Sequence, residues 1–218
     1  MDYLDNGCRV VRIVVTGGPC SGKSTALERT FRELEGEGYH ILLMPETATQ
    51  LISNGISPAV CSSLAAYQRI QIPMQLAKEK VYALAAEEIY SAMKKPILII
   101  YDRGMLDNKA YMEDEDFARV VESQGLTEGE CLSWYDAVFH LSTAAKGAQD
   151  FYTCDNNSAR METQDEAILV DDSTLHAWEA HPMRVIIDNS TGFEEKMDRL
   201  FDGIRKILSD IAKTEETL

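Results

Sequence analysis

The sequence predicts an α/β fold: a P-loop three-layer sandwich around a five-stranded parallel sheet. Three observations predict it. Short apolar runs alternate with helical patterns along the whole chain. Four of the five runs end in polar or glycine-bearing clusters. The first run leads directly into Gly17-Gly18-Pro19-Cys20-Ser21-Gly22-Lys23-Ser24, which satisfies G-x-x-x-x-G-K-[ST] without a mismatch. Alternating strands and helices pack as a parallel sheet covered on both faces.

The five runs are Val11–Thr16, Ile41–Met44, Ile97–Tyr101, Ala137–Leu141 and Arg184–Ile187. Helical patterns fill the gaps. Ser24–Leu34 closes at Gly36 and Gly38. Ser62–Met93 repeats Leu64, Tyr67, Ile70, Met74, Ala77, Val81 and Leu84 at helical spacing, with Pro73 expected to kink it. Shorter helices are expected over Phe117–Ser123 and Glu128–Trp134, longer ones over Glu166–Ala180 and Phe193–Ala212. A single domain over residues 1–218 accommodates all of them, because 218 residues leave little room for a second.

Composition narrows the function classes. Apolar residues make up 45%, enough for a sizeable core, yet no apolar run reaches the length of a membrane span. The net charge of −15 disfavours nucleic acid and anionic membranes as partners. The N-terminus shows no basic region followed by an apolar one, so a signal peptide is not expected. Five scattered cysteines without CxxC spacing fit a reducing, cytoplasmic setting and argue against zinc. The acidic run Glu113–Asp116 reads as a solvated loop or helix start.

The chemistry follows from the loop. Gly17, Gly18 and Gly22 let the backbone curl with its N–H groups inward, and the helix after it adds the positive end of its dipole. Pro19, Cys20, Ser21 and Thr25 complete the cradle, Lys23 supplies a point charge, and the Ser24 hydroxyl can ligate Mg²⁺. A nucleoside triphosphate, ATP or GTP, is the ligand such a loop fits. Asp102 follows the third apolar run, as a Walker B acid does, and is expected to hold Mg²⁺ directly or through water. Asp171 and Asp188 also follow apolar runs and are rivals for that role. Arg103 offers a second phosphate-directed charge. Glu46 closes the second run, where a carboxylate can accept a proton from an acceptor hydroxyl or serve only as a structural acid. Gln68, Gln71 and Gln75 share one face of the long helix, which either lines an acceptor pocket or is solvated. The long polar stretch 143–165 is expected to act as a lid, with Arg160 closing over phosphate. His40 and His140 read as structural, and Trp134 and Trp178 as helix-face packing.

Taken in order, the loop, PETAT, YDRGMLDNKAYM, YDAVFHL, FYTCDNN-AR and DNSTGFEEK resemble the AAA-domain family of small P-loop proteins, over about Val11 to Lys206. That family includes the TRP-channel translocation defect protein and is related to deoxynucleoside and ribosylnicotinamide kinases rather than to ring-forming motors. The resemblance implies a kinase-like branch, sheet order 2-3-1-4-5, and a nucleotide-binding role for Asn189, Ser190 and Thr191. It places a catalytic glutamate where Glu46 stands, with Thr47 in place of the kinases' proline. It places an acid-Arg-Ser motif where Asp102-Arg103-Gly104 departs at its third position. Three functions are compatible with this: Mg²⁺-dependent phosphoryl transfer to a small hydroxyl-bearing acceptor, GTP binding by a regulatory protein with slow or no hydrolysis, or a binding module without catalysis if Glu46 points away from the crevice. Asn108-Lys109-Ala110-Tyr111 lacks the aspartate of a guanine motif and leans against a Ras-like switch.

Overall fold

The computed structural model describes residues 9–147 and 163–216. Five parallel strands form one sheet in the order β2-β3-β1-β4-β5. They are β1 (Val10–Thr16), β2 (His40–Met44), β3 (Ile97–Asp102), β4 (Ala137–Leu141) and β5 (Arg184–Ile187). The three inner strands are almost wholly buried and read as continuous apolar runs, because helices cover both of their faces. The edge strands β2 and β5 are partly exposed and less uniformly apolar.

Alternation along the strands splits the interior into two layers. Val14, Ile97, Ile99 and Tyr101 point to one face, where they meet Ile72, Leu76, Phe117, Tyr135 and Trp178. That face is covered by α3 (Leu64–Met93), α4 (Asp114–Ser123) and α5 (Glu128–Leu132). Val11, Ile13, Val15, Leu98 and Ile100 point to the other face. There they meet Ala26 of α1 (Lys23–Glu33) and Met197, Leu200, Phe201 and Ile204 of α7 (Phe193–Glu216). Two further helices complete the fold, α2 (Thr47–Ser53) and α6 (Gln164–Ala177).

Boundaries follow local chemistry. Ser63 caps α3 by accepting the Ala66 N–H at 3.1 Å, and Lys94 ends it in the left-handed region at φ 53°. Pro73 lies inside α3 without dividing it. The acidic run opens α4, with Asp114, Glu115 and Asp116 in its first turn, where the helix dipole favours negative charge. Capping boxes at Thr127/Glu130 and Thr163/Glu166 start α5 and α6. Two 3₁₀ segments, over Pro58–Val60 and Met105–Tyr111, go beyond the sequence reading, and α2 starts at Thr47, where a helix start is the sequence's alternative to a catalytic Glu46. Among the described residues, no helix is long and apolar enough to cross a membrane.

Candidate functional site

The register of the sheet brings the site together. Val15 of β1 pairs with Asp102 of β3, and Met44 of β2 pairs with Tyr101. The phosphate-binding loop, Glu46 and Asp102-Arg103 therefore leave the same edge side by side, as ligand sites of open parallel sheets do.

The loop itself is tightly determined. Gly17 sits at φ +136°, and a Cβ there would lie 2.0 Å from the carbonyl oxygen of Leu141, so only glycine fits. Gly22 precedes α1 in the left-handed region at φ 95°. Lys23 is buried, and its ammonium donates to the carbonyls of Gly17 and Gly18, both at 2.8 Å, and to the Ser21 hydroxyl at 3.2 Å. Ser24 is exposed one residue into α1, Thr25 is half-buried, and Pro19 and Ser21 are buried in the loop. Cys20 adopts φ 54°.

Beside the loop lies a cavity of about 250 Å³, lined by Pro19, Glu46, Gln68, Gln71, Asp102 and Arg103 among others. Three strand ends contribute to it. Glu46 accepts the Arg103 Nε–H at 2.7 Å and the Thr49 hydroxyl at 2.5 Å. Burial alone would raise its pKa, but Arg103, Thr49 and Lys23 together hold it below the usual carboxylate range. Asp102 goes the other way. Burial and the neighbouring Glu46 charge push it up to about 6, against the pull of Lys23 and Arg103. Its Oδ1 is buried with no hydrogen-bond partner among the described residues. An orphaned carboxylate oxygen at this place fits a divalent cation, and Ser24 on the exposed loop edge fits as its companion ligand. Mg²⁺ commonly takes one or two protein ligands and completes its shell with phosphate and water. Among the described residues, no cluster of three or more acidic, His or Cys side chains forms an all-protein metal cage.

Arg103, expected to offer a second phosphate-directed charge, grips two carboxylates in this structure. Its Nη1 meets Asp107 at 3.2 Å while its Nε meets Glu46, and its backbone adopts φ 66°. Asp107 is the hub beneath it. Its buried carboxylate accepts from the Thr16 hydroxyl, the Gly104 N–H at 2.8 Å and the indole N–H of Trp178 at 3.2 Å. Trp178 thus does more than pack: its ring also fills the space a side chain at Gly104 would need, 2.7 Å from that Cβ position.

The glutamine face of α3 turns inward. Gln68, Gln71 and Gln75 are all buried. Gln71 donates to Asn108 Oδ1 at 2.6 Å, and Asn108 donates to Gln75 Oε1 at 2.9 Å. The Oε1 atoms of Gln68 and Gln71 and the Tyr67 hydroxyl have no hydrogen-bond partner among the described residues. Asn108 and Asp107 lie on the 3₁₀ segment, which no sequence periodicity announces. Lys78 reaches over from α3 to the Pro45 carbonyl and, at 3.2 Å, the Thr47 hydroxyl, and burial lowers its pKa to about 8.

The cluster after β5 lies elsewhere. Asn189 is committed internally, donating to the carbonyls of Thr143 and Lys146, both at 2.7 Å, and accepting from Lys196 at 2.7 Å. Lys196 is buried and ties Ser21 O at 3.0 Å to Ser142 O at 2.8 Å. This cluster braces the flank of the loop opposite the cavity. Ser190 bonds Asp188 at 2.6 Å, and Thr191 Oγ1 is buried without a partner among the described residues. Asp188 is an exposed acid paired with Arg199 at 2.8 Å. Arg160 and most of the expected lid lie outside the described residues.

A family model described as an AAA domain matches residues 12–196. The chain belongs to this AAA-domain family. The match takes in all of the sheet but the first two residues of β1 and every strand-end cluster above, and with the loop geometry it makes the chain a nucleotide-binding P-loop protein. No curated protein matches the sequence.

Proposed function

We propose that the protein is a small-molecule kinase that transfers the terminal phosphate of a nucleoside triphosphate to an acceptor hydroxyl. One observation carries the reading. A cavity of mixed polar and apolar lining opens directly beside the phosphate-binding loop, with Glu46 and Asp102 at the loop side and buried amides behind them. A cavity at that place gives an acceptor room beside the terminal phosphate.

The loop N–H groups and Lys23 hold the phosphates. Lys23 must exchange its present bonds to Gly17 and Gly18 for phosphate oxygens. Ser24 and Asp102 would hold Mg²⁺, which would supply neutralisation of charge on the transferring group. Glu46, kept ionised by Arg103, orients the acceptor hydroxyl and takes its proton; Arg103 and Asp107 fix the carboxylate's position. The unpartnered oxygens of Gln68 and Gln71 offer acceptors to N–H or O–H groups at the far end of the acceptor, because buried polar atoms gain most from such partners. Displacing water from this pocket strengthens each of those contacts.

The test is a thermal-shift screen of ATP and GTP with Mg²⁺, followed by a phosphate-transfer screen over nucleosides, nucleotides and vitamins. A hydroxyl compound phosphorylated by wild type but not by Lys23→Ala supports the reading. Nucleotide binding with slow hydrolysis and no acceptor transfers the case to the GTP-binding regulatory reading.

A further inference from the structure

Asp171 lies in the middle of α6, far in sequence from any strand, yet it is 1% exposed and touches the phosphate-binding loop. Its Oδ1 accepts the Gly18 N–H at 2.7 Å and the Thr143 N–H at 3.2 Å, and lies 3.1 Å from His140 Nε2. Its Oδ2 pairs with Lys146 at 2.8 Å, and Lys146 also reaches Asp172 at 2.6 Å. The fit is close: a Cβ at Gly18 would stand 2.7 Å from that of Asp171. Around this point the loop is stitched to the segment after β4. Thr143 donates its hydroxyl to Pro19 O at 2.5 Å, and the Ala144 N–H donates to Cys20 O at 3.2 Å.

Two physical consequences follow. Before nucleotide enters, the Gly17–Gly18 peptide is held at both ends, its N–H by Asp171 and its carbonyl by Lys23; once Lys23 turns to phosphate, Asp171 still holds the N–H. Its plane is thereby set at the point where the loop begins to curl, so the N–H groups that follow start from a fixed direction. The clamp also brings a fixed negative charge against a loop built for anions. In a buried setting that charge opposes a triphosphate unless a cation cancels it. Lys146 is placed to do so.

We propose that Asp171 is a positioning residue of the phosphate-binding loop, clamping Gly18 from behind, and that Lys146 cancels the charge this clamp brings near the nucleotide. The proposal rests on the nucleotide-binding reading and adds to it a link between the loop and α6.

The experiment is calorimetry with Mg²⁺-ATP and Mg²⁺-GTP, repeated with the diphosphates, on wild type, Lys23→Ala, Asp171→Ala, Asp171→Asn, Lys146→Met and the double variant Asp171→Asn/Lys146→Met. A thermal melt of each variant accompanies it. Asp171→Ala is expected to weaken triphosphate binding about 10- to 100-fold, the loss of a charge-assisted hydrogen bond. Asp171→Asn retains an oxygen for Gly18 and Thr143 and stays within about threefold. Lys146→Met weakens triphosphate more than diphosphate, by about tenfold at low salt and less at high salt, because only a charge has been uncovered. The double variant recovers to within about threefold of wild type. A merely structural role predicts equal loss for both nucleotides and no recovery in the double variant, and either result overturns the proposal. If Asp171→Ala does not fold, the comparison of Lys146→Met with the double variant decides alone. Loss of binding in Lys23→Ala beside unchanged binding in Asp171→Ala removes this proposal and leaves the nucleotide-binding reading standing. No binding by wild type removes both.

Discussion

Glu46 and Arg103 meet at 2.7 Å across the ends of β2 and β3, and neither side chain is more than about a quarter exposed. The pair decides the protonation state of the carboxylate that faces the cavity. A glutamate in this setting stays ionised well below neutrality and is fixed in direction, which suits orientation of an acceptor hydroxyl.

Glu46→Gln should therefore cut phosphate transfer by roughly 10²- to 10⁴-fold while nucleotide affinity changes only a few-fold. The measurement is steady-state transfer with the acceptor from the screen, beside calorimetry with nucleotide. Full turnover in the variant demotes Glu46 to a structural acid.

Lys23→Ala should abolish measurable nucleotide binding, and Ser24→Ala or Asp102→Asn should remove its dependence on Mg²⁺. Titrations with and without EDTA check this. Unchanged ATP and GTP affinity in Lys23→Ala would contradict the assignment of the loop.

Asp107→Ala should destabilise the fold by about 3 kcal/mol, because it leaves Arg103 half-paired and strips Trp178, Gly104 and Thr16 of a buried acceptor. Asp107→Asn should cost less, since an amide oxygen still accepts. Urea melts of both variants give the comparison; equal costs would mean that charge dominates the hub.

Glu79 supplies a pH prediction away from the cavity. It is buried, accepts the Tyr135 hydroxyl at 2.7 Å, and burial raises its pKa from 4.5 to about 7 against the opposing influence of Tyr135, Tyr101, Arg12 and Lys78. The folded state thus holds a proton that the unfolded chain has released between those two values. This group makes stability fall as pH rises through that window, by about 3 kcal/mol at most. Glu79→Gln should flatten the fall and make the protein more stable than wild type at pH 8. A wild-type denaturation profile with the same slope as the variant between pH 5 and 7 would refute it.

Much of this was legible in the sequence because it rests on periodicity and on one unmistakable motif. The five strands, the loop and the acids that end β2 and β3 all follow from apolar runs and what terminates them. Asp107 and Asn108 were not legible, and of α2 only a candidate start at Thr47 was. A short 3₁₀ segment and a seven-residue helix carry too few turns for a repeat to emerge. The inward face of Gln68, Gln71 and Gln75 was visible as a face, but glutamines on a helix give no sign of which side is covered. The partners of Arg103 depend on Asp107 and on a left-handed backbone, so its direction could not be read from position alone. Asp171 ends an apolar run as convincingly as Asp102 does. Only the sheet order shows that one acid closes a strand and the other sits on a helix behind the loop.

That order has a consequence for how specificity can change. β1 stands third of five, with β3 and β2 on one side and β4 and β5 on the other. The cavity is walled by β2, β3, α2 and α3, whereas the loop is braced from the opposite flank by residues 142–146, Asp171, Asn189 and Lys196. Drift in α2 or the start of α3 can therefore reshape one compartment while the machinery that grips phosphate stays untouched. The scaffold is separable along a single strand, and the two halves are free to evolve at different rates.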